Sequence, residues 1–222
     1  MAKPSWLVVA PSAGSGNGQI QNSASPHTGR VAREGDVTVT GAGVADPEVY
    51  HVIQTAKEEF VTLDNGAEMA VSKDGGNVTI TGKSNSAKLK FEWVVPEGKT
   101  QPEHDADGNE DYAGEDFPEA EIPASYTAAG KTTNNDAEID GDPGAEEEYD
   151  YSIDIEFPKN DFAVEVLRTL KVTANGSQVA QIVVKQTAQT ATLEVSPKSI
   201  TIPQAGTAVS VEVTSNTSWT VS

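Results

Sequence analysis

Residues 193–222 read LEVSPKSITIPQAGTAVSVEVTSNTSWTVS, and this stretch decides the fold class of the chain. Leu193 and Val195 alternate with polar residues, Pro197 interrupts the run, and Gly206 marks a turn before the alternation resumes. Alternating β-branched residues between proline and glycine breaks are typical of short strands with one buried face. The pattern predicts sandwich-opening strands whose contact residues are Leu193, Val195, Ile200, Ile202, Val209, Val211, Val213 and Trp219.

The two ends of the chain overlap in sequence. Ser-Trp-Leu-Val begins at Ser5, and Ser-Trp-Thr-Val begins at Ser218. Read in the order 189–222 and then 5–56, the ends spell one complete sandwich, and residues 57–188 spell another. We therefore predict three segments: 1–56, a sandwich without its opening strands; 57–188, a complete sandwich; and 189–222, the opening strands of a further one.

The predicted closing strands repeat a motif. Residues 50–56, YHVIQTA, return as residues 182–188, IVVKQTA, and an arginine-bearing strand with Arg168 precedes the second copy. With the opener at 193–197 and the Ser-Asn-x-x-Trp corner at 215–219, this order of motifs resembles the BACON family (Bacteroidetes-associated carbohydrate-binding often N-terminal). The resemblance implies tandem immunoglobulin-like β-sandwiches of about seven strands each, an all-β fold class.

Charge and composition exclude several classes of partner. The 222 residues carry 34 acidic and 15 basic side chains, a formal charge of −19, which repels nucleic acid and anionic lipid. The sequence has no cysteine, so disulfides and thiolate chemistry are excluded. No apolar run approaches the roughly 20 residues that cross a bilayer. The first residues, MAKPSWLVV, do not resemble a secretory signal. An extracellular module without a secretory signal is expected to be a processed chain, a protein exported by another route, or a virion protein.

Residues 97–150 form an acidic insertion that departs from the family pattern, with Lys99 and Lys131 as its only lysines. We expect either a long insertion between two strands or a solvated loop. The spacing of the acids is typical of a calcium loop, but Glu110 occupies the position where an EF-hand loop has glycine. A merely solvated loop is the alternative. The weak calcium hypothesis names Asp105, Asp107, Asn109 and Asp116; no other cofactor is predicted.

No pattern of catalytic residues emerges, so the chain is predicted not to be an enzyme. The sequence has no Gly-x-Ser-x-Gly, and nothing selects a carboxylate pair for glycoside hydrolysis. Trp6 and Trp93 are candidate glycan-stacking residues, although core packing is the competing interpretation for Trp93. His51 is expected to be a half-buried packing residue.

The split sandwich leaves three alternatives. The segment 189–222 completes a neighbouring copy by strand exchange, closes on 1–56 of its own chain, or belongs to a longer array. We predict a structural or assembly subunit, a homo-oligomer or a partner of other structural subunits, on an extracellular surface. The BACON resemblance implies a virion of a phage that infects gut Bacteroidetes. The alternative function is a carbohydrate-binding or adhesion module on the surface of a Bacteroidetes bacterium.

Overall fold

The computed structural model describes residues 3–27, 29–140, 148–175 and 178–222, and in these residues the chain is all-β, as predicted. None of the described segments is a helix that could span a bilayer. The strands are β1 (Leu7–Ala10), β2 (Gln21–Ala24), β3 (Arg33–Val39), β4 (Glu48–Gln54), β5 (Val61–Leu63), β6 (Glu68–Val71), β7 (Gly76–Ser84), β8 (Leu89–Trp93), β9 (Asp111–Tyr112), β10 (Glu115–Asp116), β11 (Ser125–Ala128), β12 (Lys131–Asn134), β13 (Tyr149–Phe157), β14 (Val166–Ala174), β15 (Gln178–Gln186), β16 (Leu193–Ser196) and β17 (Glu212–Ser215).

The middle of the chain is an immunoglobulin-like β-sandwich. A five-stranded sheet in the order β12-β11-β13-β7-β5 and a four-stranded sheet in the order β6-β15-β14-β8 share one hydrophobic core. In β13 the sequence YDYSIDIEF buries every second residue, and β14 shows the same alternation. One face of each sheet is apolar for this reason, and pressing the two faces together removes both from water.

The acidic insertion is built into the sandwich over its described part, residues 97–140. Strands β11 and β12 extend the five-stranded sheet beyond β13. Phe117, Tyr126 and Ile139 are buried. These apolar residues fix the insertion to the core, which favours an ordered insertion over a solvated loop. The rest of the insertion before Glu148 lies outside the described residues.

Four two-stranded sheets lie outside the two sheets of the sandwich, and one of them, β9 with β10, belongs to the insertion. Strands β1 and β2 pair with each other, as do β3 and β4, and β16 and β17. The predicted strand positions Ile200, Ile202, Val209, Val211 and Trp219 do not lie on strands in the structure. A strand is held by the hydrogen bonds of its neighbour, and no described neighbour reaches these residues. The division into segments 1–56, 57–188 and 189–222 stays a prediction.

Candidate functional site

A corner built from a serine and an asparagine joins the opening strands of the sandwich. Ser84 Oγ donates to Phe60 O at 2.6 Å, and Phe60 N donates to Asn85 Oδ1 at 2.8 Å. Asn85 Nδ2 donates to Glu58 O at 3.0 Å. These side chains satisfy backbone groups where the chain enters β5, beyond the reach of the sheet ladder. The corner thereby holds the start of β5 against the end of β7.

The same corner is present in the tail, which we define as residues 189–222. Ser215 Oγ donates to Thr192 O at 2.8 Å, and Thr192 N donates to Asn216 Oδ1 at 2.7 Å. Asn216 Nδ2 donates to Thr190 O at 2.9 Å. Each bond corresponds to one of the sandwich corner. The tail therefore repeats the hydrogen bonds of the sandwich corner, and no further strand pairs with β16 or β17 in the described structure.

The strand registers repeat as well. In the sandwich, β5 and β7 pair antiparallel with Val61 opposite Ser84. In the tail, β16 and β17 pair antiparallel with Leu193 opposite Ser215. Since Ser84 and Ser215 both open a corner, the two ladders superpose residue for residue. The tail positions can therefore be assigned sandwich counterparts.

A glycine turn leads into β7, and the tail contains its counterpart. Gly75 has a φ of 73° and donates its N–H to Ser72 O at 3.0 Å. Gly206 has a φ of 72° and donates its N–H to Pro203 O at 2.8 Å. Glycine adopts positive φ without the steric cost that a Cβ brings. The turn fixes the spacing between the segment before the glycine and the strand after it.

The counterparts differ in burial. Ile80 and Val71 of the sandwich are 0% and 4% exposed, whereas their counterparts Val211 and Ile202 are 38% and 61% exposed. The tail thus has apolar side chains at positions equivalent to core positions of the sandwich, and no described residue buries them. The exposed apolar side chains of the tail are Leu193, Val195, Ile200, Ile202, Val209, Val211, Trp219 and Val221.

The N-terminal unit, which we define as residues 1–56, contains a pair of strands arranged like two strands of the sandwich. Its β3 and β4 pair antiparallel like β14 and β15 of the sandwich. Arg33 Nε donates to Gln54 Oε1 at 3.0 Å, as Arg168 Nη1 does to Gln186 Oε1 at 3.3 Å. The strand β15 has β6 on its other side, but no described strand covers that side of β4. Val52 on β4, the counterpart of the fully buried Val184, is only partly buried.

The two junctions between these units are alike. Lys57 N donates to Gly29 O at 3.0 Å where the N-terminal unit meets the sandwich. Gln189 N donates to Phe162 O at 2.7 Å where the sandwich meets the tail. In each case the residue three positions after a closing strand donates its N–H to the loop that precedes the arginine-bearing strand. The tail is therefore attached to the sandwich as the sandwich is attached to the N-terminal unit.

Tyr112 of the insertion anchors the tail. Its hydroxyl lies 3.0 Å from Thr217 Oγ1 and accepts a hydrogen bond from Ser218 N at 3.3 Å. The ring meets Phe162 edge-on at 6.2 Å between centroids. Hydrogen bonds from the Ser218 and Thr217 side chains lower the pKa of Tyr112. In the sequence Tyr112 is an isolated tyrosine among acidic residues, and nothing in that segment indicates the tail as its partner.

The two candidate glycan-stacking tryptophans lie in different surroundings. Trp93 Nε1 donates to Ala120 O at 2.6 Å, and its ring meets Phe157 at 6.1 Å between centroids. The guanidinium of Arg33 lies 4.8 Å from the centre of the Trp6 ring. Trp93 therefore contributes to packing, and stacking of a glycan on either residue stays a prediction.

The candidate calcium ligands form a loop that is bonded internally. Asp105 Oδ1 accepts hydrogen bonds from Asp107 N at 2.9 Å and from Asn109 N at 2.8 Å. Burial acts to raise the pKa of Asp105, but hydrogen bonds from Asn109 and the loop backbone outweigh it and lower the pKa. Asp116 lies on β10, opposite Asp111. No group of three metal-binding side chains occurs among the described residues, and calcium binding stays a prediction.

His51 lies on the exposed face of β4, so the expected packing role is wrong. Its ring nitrogens lie 2.7 Å from Asp36 Oδ1 and 3.3 Å from Glu34 Oε2. Hydrogen bonds to Asp36 and then Glu34 raise the pKa of His51 above 6.5. The alternation of β4 places residue 51 opposite the buried face, which is why this side chain meets acids rather than the core.

We expect Asp36→Asn to lower the pKa of His51, as measured by NMR titration of its ring protons. A raised folded pKa contributes stability below the unfolded value, and that contribution is lost as pH rises through the folded value. The wild-type protein should therefore lose this contribution above pH 6.5. Asp46→Asn, on the loop before β4, is the control and should leave the titration in place; an unchanged His51 titration in Asp36→Asn would contradict the assignment.

Comparison with solved structures finds chains that are similar in structure. No protein-family model matches the chain, and no curated protein sequence matches it. The chain is similar in structure to CfaE, the adhesive subunit of CFA/I fimbria of enterotoxigenic Escherichia coli, with 10% identity and a TM-score of 0.39. The match covers 73% of this chain and 60% of that one.

Proposed function

We propose that this chain is a non-catalytic assembly subunit whose tail supplies the opening strands for the N-terminal unit of another copy. One observation carries the proposal: the tail repeats the corner, register and turn of the sandwich opening, yet its core positions are exposed. Exposed strand edges beside apolar faces are sites at which chains pair. The tail and the N-terminal unit are the two parts of one sandwich, so each covers what the other exposes.

The positions of the two units favour exchange between copies over closure within one chain. Asn85, which accepts a hydrogen bond from Arg30 of the N-terminal unit at 3.1 Å, follows Ser84 at one end of the β7–β13 ladder. Ala163, which donates to Asn216 O of the tail at 3.2 Å, follows Phe157 at the other end. A ladder of this length separates its ends by about 27 Å. The tail is thus held at the end of the sandwich farther from the N-terminal unit.

Such a contact joins different surfaces of identical subunits. A head-to-tail contact repeats from copy to copy and produces a ring or a filament. The similar junctions support regular repetition, because each added sandwich would be attached to its neighbours in the same way. The proposal extends to an extracellular or virion surface and to BACON-family membership; the repeated YHVIQTA and IVVKQTA strands support the latter.

Absolute mass in solution tests the proposal. We expect light scattering on a sizing column to give multiples of 23.3 kDa for the full chain. A version that ends at Ala188 should lose these multiples, because it retains the gap of the N-terminal unit without the strands that fill it. A stable monomer for the full chain would overturn the proposal. A glycan array with Trp6→Ala and Trp93→Ala would then test the adhesion alternative.

A further inference from the structure

We propose a specific register for the exchange: residues 199–203 of one copy, the donor segment, pair in parallel with the free edge of β4 in the next. Ile200 lies opposite Val52, and Ile202 lies opposite Gln54. This inference rests on the proposed function, since it requires the tail to reach another copy. It adds which strand is extended, in which direction and with which residues as neighbours.

The sandwich supplies the template for this pairing. Strand β6 lies parallel to β15, with Met69 opposite Val184 and Val71 opposite Gln186. The pairing ends where Thr187 N donates to Val71 O at 2.9 Å. The segment before the glycine turn therefore covers the outer edge of the closing strand.

The recipient strand aligns with β15 through its glutamine. Gln54 and Gln186 hold the same place in the repeated motif, and each accepts a hydrogen bond from an arginine on the neighbouring strand. Gln186 Nε2 also donates to Pro158 O at 2.6 Å and to Ser72 O at 3.3 Å. Gln54 Nε2 donates to Ser25 O at 2.9 Å, and this bond corresponds to the one from Gln186 to Pro158 O. The acceptor that corresponds to Ser72 O would be a backbone carbonyl of the donor segment.

The donor segment aligns with β6 through the glycine turn. Gly206 corresponds to Gly75, so Pro203 corresponds to Ser72, the residue whose carbonyl accepts from Gln186. Counting back from the turn places Ile202 at Val71 and Ile200 at Met69. Both replacements keep an apolar side chain on the covered face. Pro203 would thus offer its carbonyl to Gln54.

Proline suits its place in this register. Alternate residues of a strand bond to a parallel neighbour, and the carbonyl of Val71 takes part in that bonding. The N–H of the following residue is therefore directed away from the closing strand. Proline has no N–H to donate, and at this position it costs no hydrogen bond of the ladder. A shift of the register by one residue would place Pro203 where the ladder needs a donor.

Paired cysteines test the register, since the chain has no cysteine of its own. In the full chain carrying Ile200→Cys and Val52→Cys, we expect mild oxidation to produce a ladder of covalent multiples on a non-reducing gel. Directly opposed residues on neighbouring strands lie about 4.8 Å apart, within the range that a disulfide spans. The matched control carries Thr201→Cys and Val52→Cys. Its two side chains lie on opposite faces, so we expect at least about tenfold less cross-linking.

The outcomes separate the register from the assembly. A ladder in the first variant and not in the control supports the inference. A ladder in the control alone, or no ladder from a protein that light scattering shows to be assembled, overturns the register and leaves the proposed function standing. A disulfide formed within single chains, seen as monomers whose two thiols are consumed on oxidation, shows closure within one chain and overturns exchange between copies. A protein that is monomeric before oxidation overturns the proposed function and the inference with it.

Discussion

The substitution Val211→Asp is expected to convert the assembled protein into monomers. Val211 is the counterpart of Ile80, which is fully buried in the centre of the sandwich core. In an exchanged sandwich an aspartate there would be a charge without a partner, at a cost of several kcal/mol. Each 1.4 kcal/mol weakens association tenfold, so we expect an apparent dissociation constant at least about 100-fold higher. Light scattering over a dilution series measures it.

The neighbouring residue supplies the matched control. Ser210 is the counterpart of Thr79, which is exposed on the outer face of β7. Ser210→Asp adds the same charge one residue away, on the face that stays in water, and should leave the mass unchanged. Val211 is itself exposed in the single chain, so its replacement should not unfold the sandwich. Equal loss of assembly in both variants would show a general effect of charge and contradict the exchanged core.

Much of the fold could be predicted because the strands of the sandwich repeat a visible period. Strand β13 alternates Tyr149, Tyr151, Ile153, Ile155 and Phe157 with polar residues, and it forms where that pattern predicts. The strands of the insertion were missed. Strand β12 reads KTTN and buries only Thr133, so its four residues contain no apolar alternation. It forms because it pairs with β11, and the sequence of so short a strand does not show which strand it will pair with.

The sequence indicates apolar residues of the tail that need burial, but not the geometry that holds the tail, and their role in assembly stays a prediction. The alternation at Val209 and Val211 indicates an apolar face that needs burial, but it does not show whether the same chain or another copy covers that face. The tail nevertheless forms fewer strands than predicted, because Ile200 and Ile202 have no described partner in the chain. The register became visible only when the bonds of Asn85 and Asn216 proved equivalent. Ser84-Asn85 and Ser215-Asn216 are alike in the sequence, but the sequence does not show which backbone groups these side chains bond.

The sequence also gave no sign of the ion pair that holds the insertion to the core. Glu103 is one acid among many in its segment, yet it is 1% exposed, and its Oε1 accepts from Arg168 Nε at 2.9 Å. Arg168 is fully buried, donates to Pro118 O as well, and lies 5.6 Å from the centre of the Phe157 ring. One side chain thus connects the insertion to the middle of β14.

We expect Glu103→Ala to reduce the free energy of unfolding of the sandwich by about 3–5 kcal/mol, because it leaves the Arg168 guanidinium buried without its counter-charge. Domains of this size are stable by about 5–15 kcal/mol, so the variant should unfold at a much lower urea concentration. The control is Glu68→Ala. Glu68 pairs with Lys185 at 2.7 Å, but its side chain is 59% exposed, so the loss should stay below about 1 kcal/mol.

A double variant separates the buried charge from the lost contacts. Adding Arg168→Met to Glu103→Ala removes the uncompensated guanidinium and keeps an apolar side chain beside Phe157. Since a buried pair is often replaceable by apolar residues, the double variant should recover part of the lost stability. Urea unfolding followed by tryptophan fluorescence measures all the variants, because Trp93 packs against the same core. If Glu103→Ala and Glu68→Ala destabilised the chain equally, the ion pair would not be what holds the insertion in place.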